Sequence, residues 1–118
     1  MINIRLPWPP TVNTYYTIAR GRKILSKKGR EYKIAAAGAL YRAIPWPRAD
    51  GRLEVLIDAY PPDKRRRDID NIVKPILDSL TDCGIWDDDS QVDILRIRRK
   101  QIEKPGYVRV YISEIEGD

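Results

Sequence analysis

Apolar and polar positions along the 118 residues change period several times, and each change marks an element. The opening "MINIRL" alternates Ile2, Ile4 and Leu6 with Asn3 and Arg5, which predicts a short strand that "PWPP" terminates. "TYYTIARGRKILS" predicts a hairpin turning at Arg20-Gly21-Arg22. Ser26 is placed to cap a helix running to about Ile44, with Tyr32, Ala36, Ala39, Leu40 and Ala43 at helical spacing. "PWPRADG" is a loop, and Leu53, Val55, Ile57 and Ala59 then alternate with Glu54 and Asp58 as a strand. In the next helix Ile72, Ile76 and Leu80 form one stripe with Val73 and Leu77 beside it, while Lys74, Asp78 and Asp82 lie opposite. Proline is tolerated only in a first helical turn, so Pro75 puts the helix start near Asp70 or Asn71, both good caps, and Gly84 ends it. "QVDILRIRRK" and "GYVRVYISE" read as a closing antiparallel pair. In the second of these, Val108, Val110 and Ile112 face opposite to Tyr107, Arg109 and Tyr111. The order strand, hairpin, helix, strand, helix, strand, strand predicts an α+β fold: one small sheet layer, mixed or antiparallel, with two main helices.

The length suits one domain spanning 1–118, and 42% hydrophobic residues allow it a core. No run approaches the ~20 apolar residues of a membrane span, and the start lacks a signal-peptide pattern. A lone Cys83 forms no internal disulfide, so a reducing cytoplasm is expected. The net charge of +5 is unevenly spread. Seven cations and one acid lie between Arg20 and Lys33, and five cations and one acid between Arg96 and Lys104. Lys64 to Arg67 add four more, while the acids gather at Asp87, Asp88 and Asp89. Such segregation favours a nucleic-acid partner over simple solubility. Histidine is absent. That removes the commonest general base, makes a zinc site untenable beside a single cysteine, and excludes Ser-His-Asp or Cys-His devices within one chain. Any catalysis would rest on carboxylates, lysine and a hard cation.

"KRRRDIDNIVKP" is the segment where both charge signs meet. In an extended chain Asp68 and Asp70 point to one side, and two carboxylates there can hold Mg²⁺ or Mn²⁺. Lys74, one turn beyond Asp70, either contacts a phosphate beside the metal or makes an intrahelical ion pair worth about 0.3–0.5 kcal/mol. "WDDDSQV" is a second acidic cluster. It is not a calcium loop, because counting from Asp87 puts Val92 where glycine and Arg98 where glutamate are required. One helix separates it from Asp68 and Asp70, so the two clusters are able to meet around one cation. Lys64, Arg65, Arg66 and Arg67 either clamp phosphates or form a solvated loop balanced by Asp63 and Asp68. Tyr15 and Tyr16 read as core with base stacking as the lesser alternative, and Trp8 and Trp46 as packing anchors.

"RRRDIDNIVKPILDSL" followed by "GIWDDDSQV", with "LPWPPTVNTYY" at the start, closely resembles the RusA family of Holliday junction resolvases, small endonucleases of bacteria and their phages. The resemblance runs from about Leu6 to Arg99 in matching order and spacing. It implies a metal-dependent homodimer that nicks two strands of a four-way DNA junction symmetrically in recombination and repair. The family's essential aspartates match Asp68, Asp70 and Asp89, and its catalytic lysine matches Lys74. Asp88 matches a neighbouring acidic position of secondary role. Asn71 matches a position that caps the helix or touches DNA. Asp87 falls where the family often has an apolar residue and is given no role. The implied cofactor is Mg²⁺, with Mn²⁺ as the alternative ion. Two other classes stay open: a non-catalytic nucleic-acid-binding module, and a metal-dependent nucleotidyltransferase, which lacks here a glycine-rich phosphate loop. The cut-site preference, the number of metal ions and the side chains that open the junction are not legible in the chain.

Overall fold

A computed structural model describes residues 1–42 and 48–116. The expected helix end near Ile44, its apolar Ala43, the anchor Trp46 and the start of the "PWPRADG" loop lie outside the described residues. The elements are β1 (Ile2–Pro7), α1 (Val12–Tyr15), β2 (Tyr16–Ala19), β3 (Arg22–Leu25), α2 (Lys27–Tyr41) and β4 (Leu53–Tyr60). They continue with a 3₁₀ turn (Ile69–Ile72), α3 (Val73–Asp82), a second 3₁₀ turn (Asp89–Gln91), β5 (Val92–Arg99) and β6 (Tyr107–Glu114). The two main helices and the mixed sheet match the expected α+β class, and the one-turn α1 is additional.

Local chemistry explains most boundaries. The β2–β3 hairpin turns on Arg20 (φ 53°) and Gly21 (φ 73°), and two consecutive left-handed residues make the turn whose twist matches antiparallel strands. Ser26 caps α2, its Oγ accepting the Gly29 N–H at 3.0 Å. Gly29 is buried against α1, where an added Cβ would overlap the Tyr15 carbonyl oxygen. Gly29→Ala is therefore expected to cost roughly 1–3 kcal/mol of stability, read as a lowered urea midpoint at unchanged slope.

The four-stranded sheet has the order β1-β6-β4-β5. β6 runs antiparallel to both β1 and β4, whereas β4 and β5 are parallel, from Leu53↔Val92 to Ala59↔Arg99. The expected β5–β6 pair is thus absent. The chain returns through α3 to the start of β4, so the next strand must run parallel to it. β6 then fills the slot between β4 and β1, and the connection from 100 to 106 crosses the end of β4. That connection is fastened by Lys100 N–H to Ala59 O (2.8 Å) and Glu103 N–H to Pro61 O (2.9 Å).

Alternation along the strands sorts the faces. Ile4, Leu6, Val55, Ile57, Val108, Val110 and Ile112 are buried in one cluster with Tyr32, Ala36 and Leu40 of α2 and Ile76 and Leu80 of α3. The opposite face carries Arg5, Tyr60, Tyr107, Arg109 and Tyr111; Arg5 sits 3.8 Å over the Tyr107 ring, which stacks on Tyr60. Asp58 is buried on this side and satisfied by both Nε and Nη2 of Arg98 (2.7 and 2.8 Å). Among the described residues no helix is long and apolar enough to cross a membrane.

Candidate active site

The chain leaves β4 through Asp63 and the arginine run and enters the first 3₁₀ turn. Asp63 organises this passage: its carboxylate pairs with Arg67 (2.8 Å) and Arg65 (3.3 Å) and accepts the Arg65 N–H (3.0 Å). The Arg67 hydrogen bond, reinforced by the Arg65 backbone N–H, holds the Asp63 carboxyl down at about 2. Asp63 alone does the balancing expected of Asp63 and Asp68 together. Among the described residues, the side chains of Lys64, Arg66, Asp68, Asp70 and Asn71 make no hydrogen bond or ion pair, and both Asp68 and Asp70 are exposed.

Two local expectations change. Asp68 is extended (φ −89°, ψ 124°), but Asp70 already lies inside the 3₁₀ turn, so the pair is set by a helix entry and not by strand alternation. Neither Asp70 nor Asn71 caps: α3 begins at Val73 without a side-chain cap, and the Asn71 N–H bonds Asp68 O at 3.2 Å. The preceding 3₁₀ turn takes up the first amides of the helix, which removes the need for a capping side chain. Pro75 falls in the first turn of α3, and Gly84 follows its end at φ 77°, as the sequence requires.

Lys74 is engaged by carboxylates other than Asp70. Its ammonium bonds Asp78 Oδ1 at 2.9 Å and lies 3.8 Å from Asp89 Oδ2. Asp78, one turn along α3, also accepts the Tyr16 hydroxyl. Burial, followed by the Asp89 and Asp82 charges, raises the Asp78 carboxyl to about 6 and outweighs the half-exposed Lys74 ammonium. Because the folded-state value lies above the ordinary 3.8, this group's contribution to stability is complete below about pH 4 and lost as pH rises through 6. Carbon-detected NMR of Asp78 should show a midpoint near 6, and Asp89→Asn should lower it.

The acidic loop is a scaffold as much as a cluster. Trp86 is 1% exposed and donates Nε1–H to Thr81 Oγ1 at 2.6 Å. Asp87 pairs with Arg48 (2.6 Å). Asp88 caps the second 3₁₀ turn and accepts the Ser90 N–H; hydrogen bonding from the Ser90 side chain, then from its backbone N–H, lowers the Asp88 pKa. Gln91 Oε1 accepts the N–H groups of Asp87 (2.9 Å) and Asp88 (3.1 Å), while Nε2 donates to Gly51 O (2.9 Å). The three aspartates thus point to three different partners, and Asp89 is the one aimed at Lys74.

Exposed carboxylates without partners are the oxygen donors a hard divalent cation selects, so the donor chemistry of Asp68 and Asp70 fits Mg²⁺. Among the described residues no three His, Cys, Asp or Glu side chains are grouped closely enough to hold an ion.

A sequence model of the RusA family, described as endodeoxyribonuclease RusA, matches residues 7–113. The chain belongs to the RusA family. It is 36% identical over 116 residues to the crossover junction endodeoxyribonuclease RusA of Escherichia coli K12, covering 98% of this chain and 97% of that one. It is 35% identical, with the same coverage of both chains, to the proteins of that name from Shigella sonnei and enterobacteria phage 82. Within this chain, sequence reasoning missed three structural contributors: Asp78 as the partner of Lys74, Gln91 as the tether of the acidic loop, and Arg48 as the partner of Asp87. For the first a signal existed, since Asp78 follows Lys74 at i+4, the favoured spacing for an ion pair. Tether and partner bridge about 40 residues and leave no local pattern.

Proposed function

We propose that this chain is one RusA-like endonuclease domain that resolves four-way DNA junctions by paired symmetrical nicks, as a homodimer in the cytoplasm, with Mg²⁺ as cofactor and Mn²⁺ as the alternative ion. The observation that carries the reading is that Asp68 and Asp70 stay unpaired among the described residues beside four consecutive cations. A purely structural charge patch would have neutralised them.

In this reading Asp68, Asp70 and Asp89 would hold the ion, which when bound supplies Lewis acidity at the phosphodiester and an activated water. Among the described residues the three are not grouped, so joining them at one ion requires their carboxylates to draw together. Hydrolysis forms one P–O bond to water and breaks another, and the leaving oxygen, which develops negative charge, must be met by a cation or take a proton. Lys74 meets that need at the N-terminal turn of α3, oriented by Asp78. Lys64, Arg65, Arg66 and Arg67 grip the backbone on either side, and Asn71 contacts the strand. Asp88 acts at one remove, by shaping the turn that carries Asp89.

A second copy suits both substrate and surface. A junction with two-fold symmetry needs two equivalent cuts, which an isologous dimer provides. β5 is an edge strand exposing Ile94 and Leu95, a surface that favours self-association.

Incubation with a labelled synthetic four-way junction, with and without Mg²⁺, tests the activity. Cleavage only with the metal, at symmetric positions in two strands, is expected. Binding without cleavage would leave a non-catalytic module, and a preference for free nucleotides over junctions would point to a nucleotidyltransferase.

A further inference from the structure

Asp68 stands on the wall between two hollows. One, of about 450 Å³, is of mixed character and is lined by Thr11, Arg66 and Asn71 as well as Trp8 and Ile72. The other, of about 360 Å³, has an apolar floor of Trp8, Ala59 and Ile72, with Ile102 at its mouth and a rim of Lys64, Arg65, Arg67, Arg99 and Lys100 offset in part by Asp63 and Asp68. Trp8, Arg67 and Asp68 border both.

The apolar hollow is built in advance. Its outer wall is the 100–106 connection, fastened to Ala59 and Pro61 by backbone hydrogen bonds. Arg99 Nη2 donates to Arg67 O at 2.6 Å, and Arg67 is held by Asp63 with its guanidinium 5.7 Å from the centre of the Trp8 ring. At the mouth, Ile102 is 48% exposed and the Gln101 amide has no partner among the described residues. A phosphate is anionic throughout and would leave the apolar floor wet. An apolar peptide would leave Lys64, Arg99 and Lys100, which have no ion-pair partner among the described residues, without counter-charge. A nucleotide presents both surfaces: a flat apolar ring and an anionic backbone.

We propose that this cleft receives one extrahelical nucleobase from the nucleotide flanking the cut phosphate, and that Gln101 reads its edge; the inference rests on the nuclease reading above. The base lies over the apolar floor against Ile102 and Trp8, and its phosphates meet the rim. Strands at the crossover of a four-way junction leave their helices, so drawing out a base there costs less than in continuous duplex. Gln101, carrying both a donor and an acceptor, makes the cleft selective as well as sticky. The chain would thus acquire a sequence preference at one nucleotide beside the cut.

Two measurements separate this inference from the reading beneath it. In the first, wild-type protein, Ile102→Ala and Gln101→Ala bind metal-free junctions carrying 2-aminopurine at successive positions near the crossover. The wild type should change the fluorescence severalfold at one position, and Ile102→Ala should abolish that change. In the second, kcat/KM is compared on an intact junction and on one made abasic at the same nucleotide. Ile102→Ala should lose roughly tenfold on the intact junction, as expected when partly buried apolar side-chain carbons are removed from contact with the base, and nothing on the abasic one. Gln101→Ala should flatten the preference among the four bases at that nucleotide. Fluorescence unchanged at every position, or equal losses by Ile102→Ala on both substrates, overturns the inference while the nuclease reading stands. A position-specific, Ile102-dependent signal from a protein that cuts nothing leaves the cleft a base-binding site and removes the nuclease reading.

Discussion

Asp70→Asn is expected to lower junction cleavage by at least about 10²-fold while junction affinity stays level or rises. The two halves of that result have separate causes. Asparagine keeps the size and one oxygen of the side chain but loses the negative charge, so a divalent ion loses much of its attraction for the site. The same loss removes a charge that repels phosphate, next to Lys64 and Arg66 whose side chains are unpaired among the described residues. Asp70 makes no hydrogen bond or ion pair there, so the substitution breaks no contact and the fold should be unaffected. Cleavage rates from denaturing gels, with affinity from fluorescence anisotropy without metal, read both halves. Magnesium should also raise the melting temperature of the wild type more than that of the variant, because an ion that binds only the native state stabilises it by mass action. Unimpaired cleavage by Asp70→Asn would remove the carboxylates from the chemistry. They would then be a charge balance for the arginines, a role Asp63 already fills.

The elements of this chain were legible where one local rule decided them. Leu53, Val55, Ile57 and Ala59 alternate and are all buried; Ile72, Ile76 and Leu80 share a stripe and all reach the core. Ser26 caps its helix and Gly21 turns its hairpin for reasons within a few residues. What local rules could not supply was partnership. The β5 alternation suits a neighbour on either side and in either direction, and only the return through α3 makes β4 that neighbour, in parallel. Lys74 had two aspartates within a turn, Asp70 before it and Asp78 after; the 3₁₀ entry leaves Asp70 out of the regular α-helix, and Asp78 takes the ion pair. The site residues came from the order and spacing of a family motif. Their division of labour came from the fold: in "WDDDSQV" one aspartate pairs with Arg48, one caps a turn, and one faces Lys74.

Trp86→Ala should be the most destabilising single change in this motif, at about 3–5 kcal/mol. Small domains carry only about 5–15 kcal/mol in total, so the variant would stand near the edge of folding. Trp86 is among the largest fully buried side chains, and its removal leaves a cavity between α3 and the acidic loop. It also strips Thr81 of its indole donor, leaving that hydroxyl bonded to Leu77 O alone. The neighbouring backbone offers little slack: Ile85 N–H is bound to Leu80 O at 3.1 Å, and Ile85 O accepts the Ala49 N–H at 2.7 Å. Trp86→Phe should lose less, since it keeps most of the apolar volume and gives up the hydrogen bond, worth about 0.5–1.5 kcal/mol, and part of the ring. Urea titrations of both variants, with equal slopes, give the two costs. Asp89 follows Trp86 by three residues and is aimed by the same loop, so the residual activity of folded Trp86→Phe should fall together with the Asp89–Lys74 approach, visible as a lower Asp78 midpoint. An unchanged midpoint and full activity would mean that the loop is held in place without the indole, by Gln91 through Gly51 and by Asp87 through Arg48.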